Sequence, residues 1–329
     1  MERKPGSDDE SESEKEKMKI EDALTLVVPV YGRASHTVRL LDYLQHIKCP
    51  FKILVADGSL GRQSDYVTQL THMRQHSDWK DASKLWPDIH LDYYRYPPDK
   101  DISFYMHKMN DIYSKVTTPF TVMVDNDDLI CLNGLYEGVE FLCENEEYVS
   151  YREDVRTSTG AFFPDGRMVL QHMENASIYT EPSIEDTEPY DRIQTAVKTR
   201  NAAWHDITRT EVHAEFFRIM AKLGVQDLQL VVSLQCYYPL LFGKAHRGDT
   251  KPYYFHLPGW STVQETGKLT RYNDWIIDRP ATAEGGKSLF DISIPQAISV
   301  MGNALAKYQD LPLSEAKSKF ATLFLGDIV

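Results

Sequence analysis

Between residues 24 and 129 the hydrophobic pattern switches repeatedly between two rhythms. Leu24-Thr25-Leu26-Val27-Val28-Pro29-Val30 is almost continuously apolar and predicts a strand over 24–30 with both faces buried. Val38, Leu41, Leu44 and Ile47 then recur at spacing three behind Ser35, a suitable N-cap, and predict a helix over 35–47. The alternation continues with a strand over 51–56, a helix over 64–76, a strand over 89–96 and a helix over 102–116. Thr118-Pro119 breaks the chain before a further strand over 120–124. Strands alternating with helices predict βαβ units, hence an α/β, Rossmann-like, mostly parallel sheet flanked by helices.

The second half is less regular. A strand is expected over 148–152, and the runs 161–163 and 168–172 flank Pro164-Asp165-Gly166 as an added β hairpin would. Residues 180–190, rich in Glu, Pro and Asp, read as a mobile loop. Helical patterns follow over 193–198, 210–222 and 227–242, then a short apolar run over 253–256 and C-terminal helices over 295–308 and 313–324. The longest apolar run, 228–243, is interrupted by Ser233 and Gln235 and falls short of the roughly 20 residues of a membrane span, so it reads as a buried helix. The expected organisation is an acidic, disordered tail (1–20), a main domain (21–260) with a nucleotide half (21–130) and an acceptor half (131–260), and a helical extension (261–329).

Composition narrows the chemistry. With 329 residues, 42% of them hydrophobic, the chain has ample material for a core. The tail lacks the apolar stretch and cleavage site of a secretory signal, and the four cysteines have no CxxC spacing, so a cytoplasmic protein without a disulfide framework or zinc knuckle is expected. A net charge of −13 repels polyanions, and no stretch interleaves basic and aromatic residues as nucleic-acid grooves do. A divalent cation bound by clustered carboxylates would let such an acidic chain handle a nucleoside diphosphate locally.

Such a cluster follows the strand over 120–124: Asp125-Asn126-Asp127-Asp128. At the carboxyl end of a parallel strand it faces the ligand crevice of an open α/β sheet. A helix cap needs one carboxylate, not three. Hard oxygen ligands at D-x-D spacing suit Mg²⁺ or Mn²⁺, with Asp125 and Asp127 as ligands, and a metal there neutralises a departing diphosphate.

Three ordered segments, Val28-Pro29-Val30-Tyr31-Gly32-Arg33, Val55-Ala56-Asp57-Gly58-Ser59 and Val124-Asp125-Asn126-Asp127-Asp128, each end a predicted strand. Together they resemble the motifs of family-2-like glycosyltransferases with a GT-A (nucleotide-diphospho-sugar transferase) fold. The resemblance covers roughly 24–129 and implies transfer of a sugar from a nucleoside-diphosphate sugar, UDP-sugar favoured, to a soluble small-molecule, glycan or protein acceptor. It implies a donor site drawn from Val30, Tyr31, Arg33, Asp57, Asp125 and Asn126, in which Asp57 accepts a hydrogen bond from the base. An ordinary turn also accounts for Asp57-Gly58-Ser59. Inverting relatives carry a later acid as catalytic base, and Gly224-Val225-Gln226-Asp227 fits that place; Asp227 reads equally as the cap of the following helix. Gln226 departs from the commoner second acid, and the Gln-x-x-Arg-Trp motif of processive members is missing.

Lower-grade candidates are Lys108, on the helix before the acidic cluster and able to approach the diphosphate or the base, and His256, a third metal ligand within an aromatic lid segment. Each has a plain alternative, a solvated lysine and a packed histidine. Trp204-His205-Asp206 reads either as a sugar-binding element or as core. The rivals to a transferase are a nucleotidyltransferase, for which a triphosphate-binding loop is lacking, and a non-catalytic nucleotide-binding scaffold.

Overall fold

The computed structural model describes residues 19–59, 85–162, 168–177, 181–199, 203–256 and 289–325. The first strands are β1 (Leu24–Val30), β2 (Lys52–Asp57), β3 (Leu91–Arg95) and β4 (Phe120–Met123). They lie in the order β3-β2-β1-β4, and every neighbouring pair is parallel. Helix α1 (Ala34–His46) follows β1, and α2 (Ile102–Tyr113) precedes β4. The expected helix over 64–76 lies outside the described residues.

The continuous apolar character of these strands has a direct cause in the packing. Leu26, Val28, Ile53, Val55 and Val122 fill one core with Leu41 and Leu44 of α1 and Leu135, Val139 and Leu142 of α3 (Leu132–Glu144). Val27, Leu54, Ala56 and Met123 point the other way. Their partners are Met106, Met109 and Ile112 of α2 and Phe216, Phe217 and Met220 of α5 (Thr210–Leu223). A sheet covered on both faces leaves no polar face along its strands.

Beyond β4 the sheet becomes mixed. β8 (Ile207–Arg209) pairs antiparallel with β4, β6 (Tyr148–Phe162) antiparallel with β8, and β9 (Lys244–His256) parallel with β6. β5 (Leu129–Ile130) closes the order through an antiparallel pairing with β9. β7 (Met168–Ser177) pairs with β6 as the expected hairpin, whose tip lies outside the described residues. β5 and β8 are too short to carry a readable period, and β9 extends well upstream of the expected 253–256.

The segment before α4 (Pro189–Thr199), expected to be a mobile loop, is pinned to the sheet. Ile184 is buried and exchanges backbone hydrogen bonds of 2.8 and 2.9 Å with Ala245. The apolar run folds as α6 (Leu228–Tyr237) and a 3-10 turn over Pro239–Leu241. α7 (Leu289–Gln309) and α8 (Leu313–Leu325) place Ala297, Met301 and Phe320 in the same cluster as Met109 and Phe216. No described helix is long and apolar enough to cross a membrane.

One buried histidine on α5 makes this core pH-sensitive. His213 Nδ1 lies 3.1 Å from the Thr121 hydroxyl and 3.3 Å from that of Tyr113, and burial pushes its pKa down to about 3. The folded-state value is depressed, so its contribution is complete above the unfolded pKa of 6.5 and is lost as pH falls toward 3. Denaturant unfolding is expected to show stability declining below about pH 6.5, with a shallower slope in His213→Gln. Equal slopes in the two proteins would remove His213 from the acid response.

Candidate functional site

The three motifs meet at the carboxyl ends of β1, β2 and β4. Val30 and Asp57 are register partners, and Gly58 N–H donates to the Val30 carbonyl (2.9 Å). After β1 the chain turns through Gly32 (φ 70°) and Arg33 (φ 51°), both left-handed. Gly32 adopts this freely, whereas Arg33 pays about 1 kcal/mol for it. The turn is held from outside: Gly32 N–H donates to Ser59 Oγ (2.8 Å), and the Arg33 guanidinium is paired with the Asp127 carboxylate. Tyr31 is left exposed beside it.

Asp57 is buried and doubly engaged, accepting from Ser59 N–H (2.8 Å) and the Tyr93 hydroxyl (2.6 Å). Burial and the Asp57 charge push the Tyr93 phenol well up, so it remains a donor. Lys108 is also buried: its ammonium pairs with Asp99 and donates to the Val30 carbonyl (3.1 Å). Desolvation lowers the Lys108 pKa and raises that of Asp99. Lys108 therefore braces the backbone of the first motif from behind and is not a solvated lysine.

The acidic cluster folds as a turn in which Asp128 N–H donates to the Asp125 carbonyl (3.2 Å). A turn of this kind brings its first and fourth residues together. Asp127, between them, has its carboxylate on Arg33 and its carbonyl on the Arg39 guanidinium (2.8 Å). Burial and the Asp128 charge, only partly offset by Arg33, raise the Asp127 pKa. Asn126 is buried and donates to Thr37 Oγ1 (3.0 Å) and the Gly32 carbonyl (3.5 Å), tying the acidic turn to the first motif. Nearby His36 is held near pKa 4 by burial and by Arg39 and Arg33, so Arg33 and Arg39 are the cations of this corner.

Asp125 and Asp128 converge with His205, which sequence reasoning had considered only within a sugar-binding or core segment. One ligand atom from each of the three lies within 4.8 Å of the others. His205 sits just before β8, and its Nδ1 is 3.4 Å from the Met123 carbonyl. A carbonyl only accepts, which makes Nδ1 the protonated nitrogen and leaves the Nε2 lone pair, 4.0 Å from Asp128 Oδ2, as the ligand. Two carboxylates and an imidazole are a donor set suited to Mn²⁺ and acceptable to Mg²⁺. The Trp204 indole N–H donates to Asp125 Oδ2 (3.2 Å).

Asp227 is buried at the start of α6, where its Oδ1 accepts from Leu230 N–H (3.4 Å) and its Oδ2 from the Ser293 hydroxyl (2.5 Å). It caps the helix and ties it to α7. His256 ends β9, and its side chain lies outside the described residues.

No protein-family model and no curated protein matches the sequence. Among solved structures the fold is similar to Staphylococcus aureus TarS 1–349 (TM-score 0.46, 14% identity, 92% of this chain and 89% of that one). The same fragment in complex with UDP-GlcNAc gives a TM-score of 0.43 at 15% identity, with the same coverage of 92% and 89%. The mannosyltransferase PcManGT from Pyrobaculum calidifontis, in complex with GDP-Man and Mn²⁺, gives 0.39 at 13% identity, covering 92% of this chain and 80% of that one. At these TM-scores the likeness describes shape, and the chemistry rests on the side chains.

Proposed function

We propose that the chain is a divalent-ion-dependent glycosyltransferase that moves a sugar from a nucleoside-diphosphate sugar, a UDP-sugar in the first instance, to an acceptor hydroxyl. The observation that carries this reading is the knitting together of three sequence-remote motifs at adjacent strand ends. Asn126 holds Gly32, Ser59 holds Gly32, and Arg33 holds Asp127. Strand carboxyl ends in open α/β sheets are where nucleotides bind.

In this reading the backbone at Val30 and Tyr31 lies along the nucleoside, and the exposed Tyr31 ring is available for stacking. Asp57 is held rigidly by Tyr93 and Ser59 to accept an N–H from the base. Asp125, with either Asp127 or the pair Asp128 and His205, holds the ion, whose role when bound is to offset charge on the diphosphate. Arg33 and Arg39 add fixed positive charge beside it. Asp227 serves as base: it takes the acceptor hydroxyl proton as that oxygen bonds to the anomeric carbon, and the bond from that carbon to the diphosphate breaks on the opposite side, inverting the centre.

A thermal-shift series of UDP, GDP, their sugar conjugates and ATP, each with and without Mn²⁺, tests the donor class, because a ligand specific for the folded state raises the melting temperature. A Mn²⁺-dependent rise with one nucleoside diphosphate is expected, preserved in Asp227→Asn while transfer is lost. Pyrophosphate release from a triphosphate would turn the reading to a nucleotidyltransferase, and no shift with any nucleotide to a scaffold.

A further inference from the structure

One buried side chain touches all three members of the Asp125, Asp128 and His205 group. Tyr254 lies on β9 opposite Ile130 of β5, so the short pairing that closes the sheet lays its ring across the acidic turn. Its hydroxyl donates to Asp128 Oδ2 (2.9 Å) and accepts from Asp125 N–H (3.3 Å). Its ring stacks on the His205 imidazole, centroids 3.9 Å apart and planes inclined by 19°. Beside it, the Tyr253 hydroxyl donates to the His205 carbonyl (2.6 Å), so the backbone that carries the imidazole is fixed from the same strand.

These contacts constrain different freedoms. A carboxylate on a turn rotates about two side-chain bonds, and a hydroxyl bonded to one oxygen of Asp128 while receiving the amide of Asp125 fixes both ends of that turn. The imidazole is fixed about one axis by the Met123 carbonyl and about the other by the stacked ring. Groups that orient metal ligands in this way change metal affinity by about 10–100-fold when removed. Asp127 is not one of the three converging ligands: its carboxylate is paired with Arg33 and its carbonyl accepts from Arg39.

We propose that Tyr254 is the positioning residue of the divalent-ion site, presenting Asp125, Asp128 and His205 to the ion as its protein ligands while Asp127 serves to anchor Arg33. This rests on the transferase reading for its biological use but not for its test, which needs the metal alone.

Mn²⁺ is titrated into the full chain without nucleotide and followed by electron paramagnetic resonance. Wild type is expected to bind one Mn²⁺ with ¹⁴N modulation in the spin echo, the signature of an imidazole ligand. Tyr254→Phe, which keeps the ring and removes only the hydroxyl, is expected to bind about 10–100-fold more weakly while still unfolding cooperatively, at a modestly lower melting temperature. Asp128→Asn and His205→Gln are expected to abolish tight binding, the latter together with the nitrogen signal, and Asp127→Asn to bind within about threefold of wild type. Wild-type affinity in Tyr254→Phe, absence of nitrogen modulation in the wild type, loss of binding in Asp127→Asn, or no Mn²⁺ binding at all would each overturn the proposal. The wild-type echo needs no variant and decides the matter if a substitution unfolds the chain. Mn²⁺ bound in this way without any effect of sugar nucleotides would leave the ion site standing and remove the transferase reading. Sugar-nucleotide binding in a chain that binds no Mn²⁺ would remove the ion site and leave only a metal-independent nucleotide site.

Discussion

Asp125→Ala is expected to lower release of nucleoside diphosphate from a sugar nucleotide by about a thousandfold, the loss of several kcal/mol of charge stabilisation at the leaving group. The prediction is robust to which neighbours complete the ion site, because Asp125 belongs both to the D-x-D pair and to the group with Asp128 and His205. Its side chain is half-buried and accepts the Trp204 indole N–H, while the turn itself is closed by the backbone N–H of Asp128, which Asp125→Ala leaves in place. The measurement is single-turnover release of UDP or GDP with saturating Mn²⁺, alongside a melting curve. Activity within tenfold of wild type at an unchanged melting temperature would remove Asp125 from the reaction.

The second large effect concerns the ground beneath His205. Asp206 is fully buried and forms an ion pair of 2.6 Å with the equally buried Arg247, which reaches it from β9. Burial raises the Asp206 pKa despite the pull of Arg247 and Arg152, and the same burial lowers that of Arg247. Both charges are expensive to desolvate, and their direct pairing offsets much of that cost. Asp206→Ala removes the paired counter-charge of this buried guanidinium and is expected to cost about 3–5 kcal/mol, read as a fall in the urea midpoint with an unchanged slope. The double variant Asp206→Leu with Arg247→Met removes both charges and is expected to lose less than Asp206→Ala alone. A loss under about 1 kcal/mol in Asp206→Ala would show that the pair is not what holds this segment.

The two predictions separate chemistry from scaffold within a few residues of one another. Asp125 is half-buried and is expected to be replaceable without unfolding, whereas Asp206, adjacent in sequence to His205, is fully buried and is not. A variant at Asp206 is therefore expected to lower activity only in proportion to the protein lost, once the folded fraction is accounted for.

Hydrophobic rhythm alone determined β1, β2, β3 and β4, helices α1, α2, α5 and α8, and the placing of the three motifs at strand ends. That information is local: a doubly covered strand must be apolar throughout, and an amphipathic helix must repeat near 3.6, wherever the rest of the chain goes. It also gave the expectation that the Asp125 cluster faces a cation or water, since carboxylates continuing a buried strand carry a large desolvation cost. Tertiary structure decided which side chains Asp125 meets. D-x-D spacing in an extended backbone aligns Asp125 with Asp127, but the turn closed by Asp128 N–H sets Asp125 beside Asp128 and directs Asp127 to Arg33. His205 and Tyr254 arrive through β8 and β9, the latter 126 positions from Asp128, and β8 is three residues long with no period to read. Lys108 reads in sequence as a cation able to approach the diphosphate or the base, or as a solvated helical lysine, and only the packing of α2 against the sheet buries it against Asp99 and Val30. Convergence of this kind depends on register and strand order, which are set by contacts between distant segments and leave no mark on the pattern of any one of them.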